Sequence, residues 1–362
     1  MMKPCQTLDQ RDAMALAGRY RHPLVRDLAW LCLAPDLLAL TRPRQARLEK
    51  LGPTRPGGPT LEKLGLSPPS LEALVLPCPG RPSLEELGLG DGDRLAAWLD
   101  GWEAAPQALE ATLGDPRGLR LGLYHERFWQ FLLARAPGTE LIAHNLAIHR
   151  QGRTLGELDL LYRRRGDPRP IHLEVAIKFY LGLPEGPGGE THQARWVGPG
   201  CVDSLASKRE HLVRHQLPMV TRPEAREALT AWLGEAAGKL QQRLAMPGVL
   251  FYPWHHPLPP PEEATPAHLR GLWLPWRAWP ALRDTLAAGT LASRLHKPHW
   301  MALPGPDQLV PLPALEAPLA THFARPAVMP QPLVLYHQGT WQRLFIVGDD
   351  WPRKLPLPPF PR

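Results

Sequence analysis

Ile171-His-Leu-Glu-Val-Ala-Ile-Lys-Phe179 alternates side chains with a period of two, the pattern of a β-strand. Ile171, Leu173, Val175, Ile177 and Phe179 fall on one face, and His172, Glu174, Ala176 and Lys178 on the other. Residues 140–149 and 155–162 read as two preceding strands, joined around Gln151-Gly152 and followed by Gly166-Asp167-Pro168. Upstream, residues 119–135 are predicted to be helical, with Tyr124, Phe128, Phe131 and Leu132 on one side and Leu119, Leu123, Trp129 and Leu133 on another. Downstream, residues 201–215 return to helix, residues 224–244 read as a longer helical insertion, and residues 248–252 add a strand. Residues 118–252 are therefore expected to form an α/β unit ordered helix, three strands, helix, strand.

The polar face of the deciding strand carries the chemistry. Glu157 and Asp159 share a face of the preceding strand, so pairing of the two strands lets Asp159 and Glu174 converge. Two carboxylates at one point repel unless a cation or a proton joins them, which suggests Mg²⁺. A strand with acids and a lysine outward is also the pattern of an ordinary solvated sheet face. Glu126 weighs against that reading, because it sits within the Leu119, Leu123, Trp129, Leu133 stripe of the helix. A carboxylate is costly to bury there without a metal, lysine or arginine as partner.

Glu126 on a helix, Gly156-Glu-Leu-Asp159 on a strand, then Glu174 and a lysine on the next strand resemble the core of the PD-(D/E)XK nuclease superfamily. Thr154-Leu-Gly-Glu-Leu-Asp-Leu-Leu161 and His172-Leu-Glu-Val-Ala-Ile-Lys-Phe-Tyr-Leu-Gly182 also resemble a bacterial family of unknown function within that superfamily. The resemblance covers residues 118–252 and implies a restriction-endonuclease-like core. It implies that Asp159 and Glu174 hold Mg²⁺ or Mn²⁺ with the Val175 carbonyl, that Glu126 orients water or touches a second ion, and that a lysine stabilises the attacking hydroxide or the phosphate charge. The acid-X-lysine order of the superfamily would place that lysine at Ala176. Lys178 is the lysine on the same face, about 7 Å further along.

The flanks are read separately. Residues 1–117 form a helical region interrupted by Pro and Gly, in which Leu48-Glu-Lys-Leu51, Leu61-Glu-Lys-Leu64, Leu71-Glu-Ala-Leu74 and Leu84-Glu-Glu-Leu87 suggest short helices. Thr60, Ser70 and Ser83 read as their N-caps, and Gly52, Gly65 and Gly88 as their ends. Residues 253–362 are rich in Pro and Trp and read as an irregular α+β lobe. Trp276-Arg277 and Lys297-Pro-His-Trp300 could stack bases, although tryptophan more often packs cores. His255-His256 lacks a third ligand nearby, Gly186-Pro-Gly-Gly189 precedes no phosphate-loop lysine, and Ser204 and Ser207 lack nucleophile-elbow glycines.

With 42 Lys and Arg against 35 Asp and Glu, the net charge of +7 suits an anionic partner without proving one. The four cysteines are far apart and form no C-x-x-C pair, which argues against a disulfide framework or a zinc knuckle. No signal-peptide run opens the chain, and Pro35 and Asp36 break its most apolar early stretch, so a cytoplasmic protein without a membrane segment is expected. Three functions remain: a metal-dependent nuclease that hydrolyses phosphodiesters, a catalytically inactive module of the same fold that binds nucleic acid, and a protein-interaction scaffold.

Overall fold

The computed structural model describes residues 18–39, 80–115 and 118–353. Helix α1 (Pro23–Leu33) starts with Pro at its first position, where the missing N–H costs nothing. Every residue from Leu24 to Cys32 is buried, so α1 serves as a core helix rather than an amphipathic surface one. Helices α2 (Gly92–Ala104) and α3 (Gln107–Leu113) lead to α4 (Leu121–Arg135), which packs Tyr124, Phe128, Trp129, Phe131 and Leu132 inward.

Strands β1 (Thr139–Arg150), β2 (Arg153–Arg164) and β3 (Pro170–Val175) follow as an antiparallel meander. Gln151 and Gly152, both at positive φ, make the two-residue turn between β1 and β2, the geometry whose twist matches a hairpin. The chain continues through β4 (Lys178–Gly182), β5 (Trp196–Val197), α5 (Leu205–His211), α6 (Pro223–Leu233), β6 (Gln241–Ala245) and β7 (Gly248–Pro253). Among the described residues, β8 (Leu269–Pro275), α7 (Trp279–Arg283), β9 (Leu291–Arg294), β10 (Val310–Pro311), α8 (Glu316–Phe323), β11 (Gln331–His337) and β12 (Thr340–Val347) follow.

The result is a mixed α/β fold with two mixed sheets. One has the order β1-β2-β3-β6 and the other β10-β9-β11-β12-β8-β7-β4-β5. Strands β3 and β6 run parallel in the first sheet, and their continuations β4 and β7 run parallel in the second. The stretch expected to be one strand over 171–179 is therefore broken at Ala176 and Ile177. The cause lies partly in the neighbour: Pro247 has no N–H to offer the ladder, and the bend falls beside it. Hydrogen bonds from Ala176 N–H to the Ala245 carbonyl (2.9 Å) and from Lys178 N–H to the Pro247 carbonyl (3.2 Å) carry the pairing across. Asp36, just after α1, covers the same point by accepting the Met246 N–H at 2.8 Å.

The side-chain alternation survives the break. Ile171, Leu173, Ile177, Phe179 and Leu181 enter a large core shared with α1, α4, Phe251 and Phe345, whereas Ala176 and Tyr180 join a smaller cluster on the other side. Each fully buried large apolar side chain in these clusters contributes about 1.5–3 kcal/mol. Both faces are thus covered, and the solvated-face reading fails: His172 and Glu174 have no exposed surface.

Two helical expectations are corrected. The insertion over 224–244 is helical only to Leu233, where Gly234 at φ 57° ends it, and Gln241–Ala245 is strand because it pairs with β3. The helix expected over 201–215 begins at Leu205 behind a Ser204 and Ser207 capping box, then widens into a π-helical turn, Leu212–Gln216. Of the repeated Leu-Glu phrases, those before residue 80 lie outside the described residues. Around Leu84 a single turn forms, with Glu86 N–H bonded to Ser83 Oγ at 3.2 Å and Gly88 at positive φ. Trp273, Trp279 and Trp300 are buried and Trp276 stacks on Phe323, so these rings serve packing.

Candidate metal centre

Asp159 and Glu174 come together where β2 and β3 separate. Asp159 Oδ2 accepts the Val175 N–H at 2.9 Å, and the two carboxyl groups lie close enough for the charge of Asp159 to act on Glu174. The pairing explains this: Leu160 lies opposite Leu173, so the polar neighbours Asp159 and Glu174 meet one step further along, on a common face. Glu126 reaches the pair from α4, close enough for its charge to act on both acids. It is half-buried rather than sealed in an apolar stripe, because Leu123 is 39% exposed. Asn145 Nδ2 and Gln130 Nε2 both donate to Glu126 Oε1, at 2.5 and 3.2 Å.

Burial pushes the Asp159 carboxyl up to about 6. The Val175 N–H opposes that rise and the charge of Glu126 adds to it. Glu174 is pushed well above the usual carboxylate range, first by burial and then by the charge of Asp159. Its Oε2 has no hydrogen-bond partner among the described residues, and the His172 Nε2 lies 3.8 Å away. The His172 imidazole, lowered to about 4 by burial, is neutral at physiological pH and supplies no compensating charge.

The cation facing the carboxylates is Lys208 of α5. Burial lowers its pKa and the charge of Glu174 opposes that fall. Gln216 connects the two groups, accepting from Lys208 Nζ at 2.6 Å and donating to Glu174 Oε1. Gln216 closes the π-helical turn, a feature frequent at functional sites because it redirects side chains out of helical register. Lys178 projects from the same strand face but is committed elsewhere: its Nζ lies 2.7 Å from Asp203 Oδ2, which also accepts the Tyr180 hydroxyl at 3.1 Å. Arg209, next to Lys208, is turned to Glu263, with Nη2 to Oε1 at 2.7 Å. In the sequence, Lys208-Arg209 reads only as a basic pair on the following helix that helps to seat a nucleic-acid strand. Gln216 carried no signal at all, because its role depends on the π-turn.

Among the described residues, no group of three or more His, Cys, Asp or Glu side chains is gathered as a ready metal cage. Asp159 and Glu174 are the two side-chain oxygen donors in place, beside the peptide of Val175. Hard oxygen ligands of this kind suit Mg²⁺ or Mn²⁺ rather than a softer metal. The residues fit such an ion in a specific sense: an orphaned buried carboxylate oxygen and a pair held partly protonated are both relieved when a divalent cation enters.

Residues 26–347 match the model of a family described as a domain of unknown function, DUF1853, and the chain belongs to that family. No curated protein and no solved structure matches it. Among the described residues, no helix is long and apolar enough to cross a membrane.

Proposed function

We propose that this DUF1853 protein is a metal-dependent phosphodiesterase acting on nucleic acid, built on a restriction-endonuclease-like core. The observation that carries the proposal is a charge mismatch. Asp159 and Glu174, with the charge of Glu126 acting on both, face one half-buried lysine, Lys208, and a divalent ion would supply the positive charge that lets the pair ionise. The order α4, β1-β2-β3, α5 and a returning β6 parallel to β3 supports the same reading.

Asp159 and Glu174 would hold Mg²⁺ or Mn²⁺, with the Val175 carbonyl as third oxygen. The ion supplies a Lewis acid for a phosphoryl oxygen and lowers the pKa of water. Lys208, half-buried and linked to the pair by Gln216, stands where an ammonium stabilises negative charge developing on the phosphoryl group. Lys178 holds Asp203 and stands second in that role. Glu126, restrained by Asn145 and Gln130, orients the attacking water. Exposed basic side chains at the β1–β2 turn, Arg150 and Arg153, offer contacts for the phosphate backbone.

The purified chain, incubated with single- and double-stranded DNA and RNA, is expected to cleave at least one of them with Mg²⁺ or Mn²⁺ and none with EDTA. Glu174→Gln should remove the activity. Affinity should fall steeply with salt as phosphate contacts release counterions. Salt-sensitive binding without cleavage under any metal would identify an inactive binding module, and no binding at low salt would favour an interaction scaffold.

A further inference from the structure

Where α1 meets the C-terminal strands, a second polar group lies apart from the carboxylates. Asp27 is 2% exposed. Its Oδ2 accepts the Tyr124 hydroxyl at 2.7 Å and faces His299 Nδ1 at 3.0 Å, while its Oδ1 accepts the Ala302 N–H at 2.9 Å. A buried carboxylate against Nδ1 holds the proton on that nitrogen and leaves Nε2 for the open side of the ring. The His299 side chain is 39% exposed and borders a cavity of about 50 Å³, together with Arg26, Ser293, Arg294 and Gln308. One water needs roughly 10–15 Å³ on this measure, so the space admits several waters or one tetrahedral oxyanion.

Two features give the cavity its preference. Ser293 is 7% exposed and lines the cavity, where its hydroxyl can donate to a ligand oxygen. The charge is also unbalanced. Asp27 is matched by its own donors, whereas the guanidinium groups of Arg26 and Arg294 meet only neutral oxygens among the described residues. Arg26 donates to the carbonyls of Tyr20 and Arg21 and to Gln308 Oε1, and Arg294 donates to Gln331 Oε1.

We propose that this cavity binds a phosphate group, with Arg294 and Arg26 supplying the charge and Ser293 and His299 the hydrogen bonds. The site is separate from the carboxylate pair. Tyr124, which buttresses Asp27, and Glu126 are two residues apart on α4, about 200° around the helix. The group could belong to free inorganic phosphate or to a small phosphorylated molecule such as a mononucleotide; both present the same oxyanion.

Histidine side-chain ¹H–¹⁵N spectra of the full chain, titrated with inorganic phosphate at constant ionic strength, test this directly. The His299 signals, assigned by their loss in His299→Gln, are expected to move and saturate, and chloride is expected to leave them in place. Ser293→Ala removes one oxygen and should weaken phosphate binding about fivefold, and Arg294→Gln about tenfold or more, consistent with one neutral and one charge-assisted hydrogen bond. A parallel titration with a 5′-mononucleotide separates the sources: tighter binding than phosphate means a larger phosphorylated ligand, and weaker binding means the free ion. The proposal is overturned if His299 stays unmoved up to about 10 mM phosphate, a bound set by millimolar affinity, if chloride moves it equally, or if both variants bind phosphate as the parent does. None of these substitutions touches Asp159, Glu174 or Lys208, so the result stands apart from nucleic-acid cleavage.

Discussion

Asp159→Asn is expected to stabilise the metal-free protein while removing its response to metal. The carboxyl is held at about 6 against an ordinary 3.8. At roughly 1.4 kcal/mol per pH unit, that rise disfavours the folded, ionised form by about 3 kcal/mol, and partial exposure of Asp159 reduces the gain to about 1–2 kcal/mol. An asparagine oxygen still accepts the Val175 N–H, so the main structural contact is retained. The sign follows from linkage. The folded state binds this proton more tightly than the unfolded chain, so the parent loses stability as pH rises from about 4 to about 6 and stays lower above that. The variant lacks that slope. Urea unfolding in EDTA at pH 5 and pH 7.5 measures both effects, and adding Mn²⁺ should raise the midpoint of the parent but not of the variant. If Asp159→Asn is less stable than the parent in EDTA at pH 7.5, the carboxylate is a structural support and the reasoning from an ion-seeking pair is wrong.

Other expectations separate the roles of the two lysines and test the bend. Lys208→Ala should leave Mn²⁺ binding nearly intact and lower the cleavage rate by about 10²-fold or more, as loss of a preorganised charge does, with kcat rather than KM affected. Lys178→Ala should cost less activity and some stability, because it leaves Asp203 without its ion-pair partner; equal or larger loss of activity than in Lys208→Ala would reverse the assignment. Gly248→Ala places a methyl group against the Lys178 carbonyl oxygen at the start of β7. Thermal unfolding should show a loss of at least about 1–3 kcal/mol from overpacking in both metal-free and metal-loaded protein.

The local patterns carried most of the core. Period-two alternation located β2, β3 and β4, Gln151-Gly152 marked the hairpin, and an apolar surface on several sides marked α4. These properties belong to neighbouring residues and are visible without knowing what lies across the sheet. The same logic brought Asp159 and Glu174 to one face, because side-chain direction in a strand is a matter of parity. The family to which the chain belongs extends over residues 26–347, well beyond the motif-bearing segment.

Tertiary structure decided the rest. Residues 241–244 read as the end of a helical insertion but pair with β3, since strand formation depends on a partner that the local sequence does not name. On alternation alone the face of His172 and Glu174 also suits solvent, yet it is sealed, because burial depends on what another element covers. Strands from both sides of residue 253 join one eight-stranded sheet, so the change in composition there is no boundary in hydrogen bonding. Parity along one strand points to Lys178 as the lysine beside Glu174, whereas the lysine whose charge acts on Glu174 is Lys208 of another element. The amino-acid order determined which side chains share a face; the bend at Ala176 and Ile177 and the π-turn ending at Gln216 decided which of them share a charge, because electrostatic coupling depends on separation and burial, neither of which is a property of spacing along the chain.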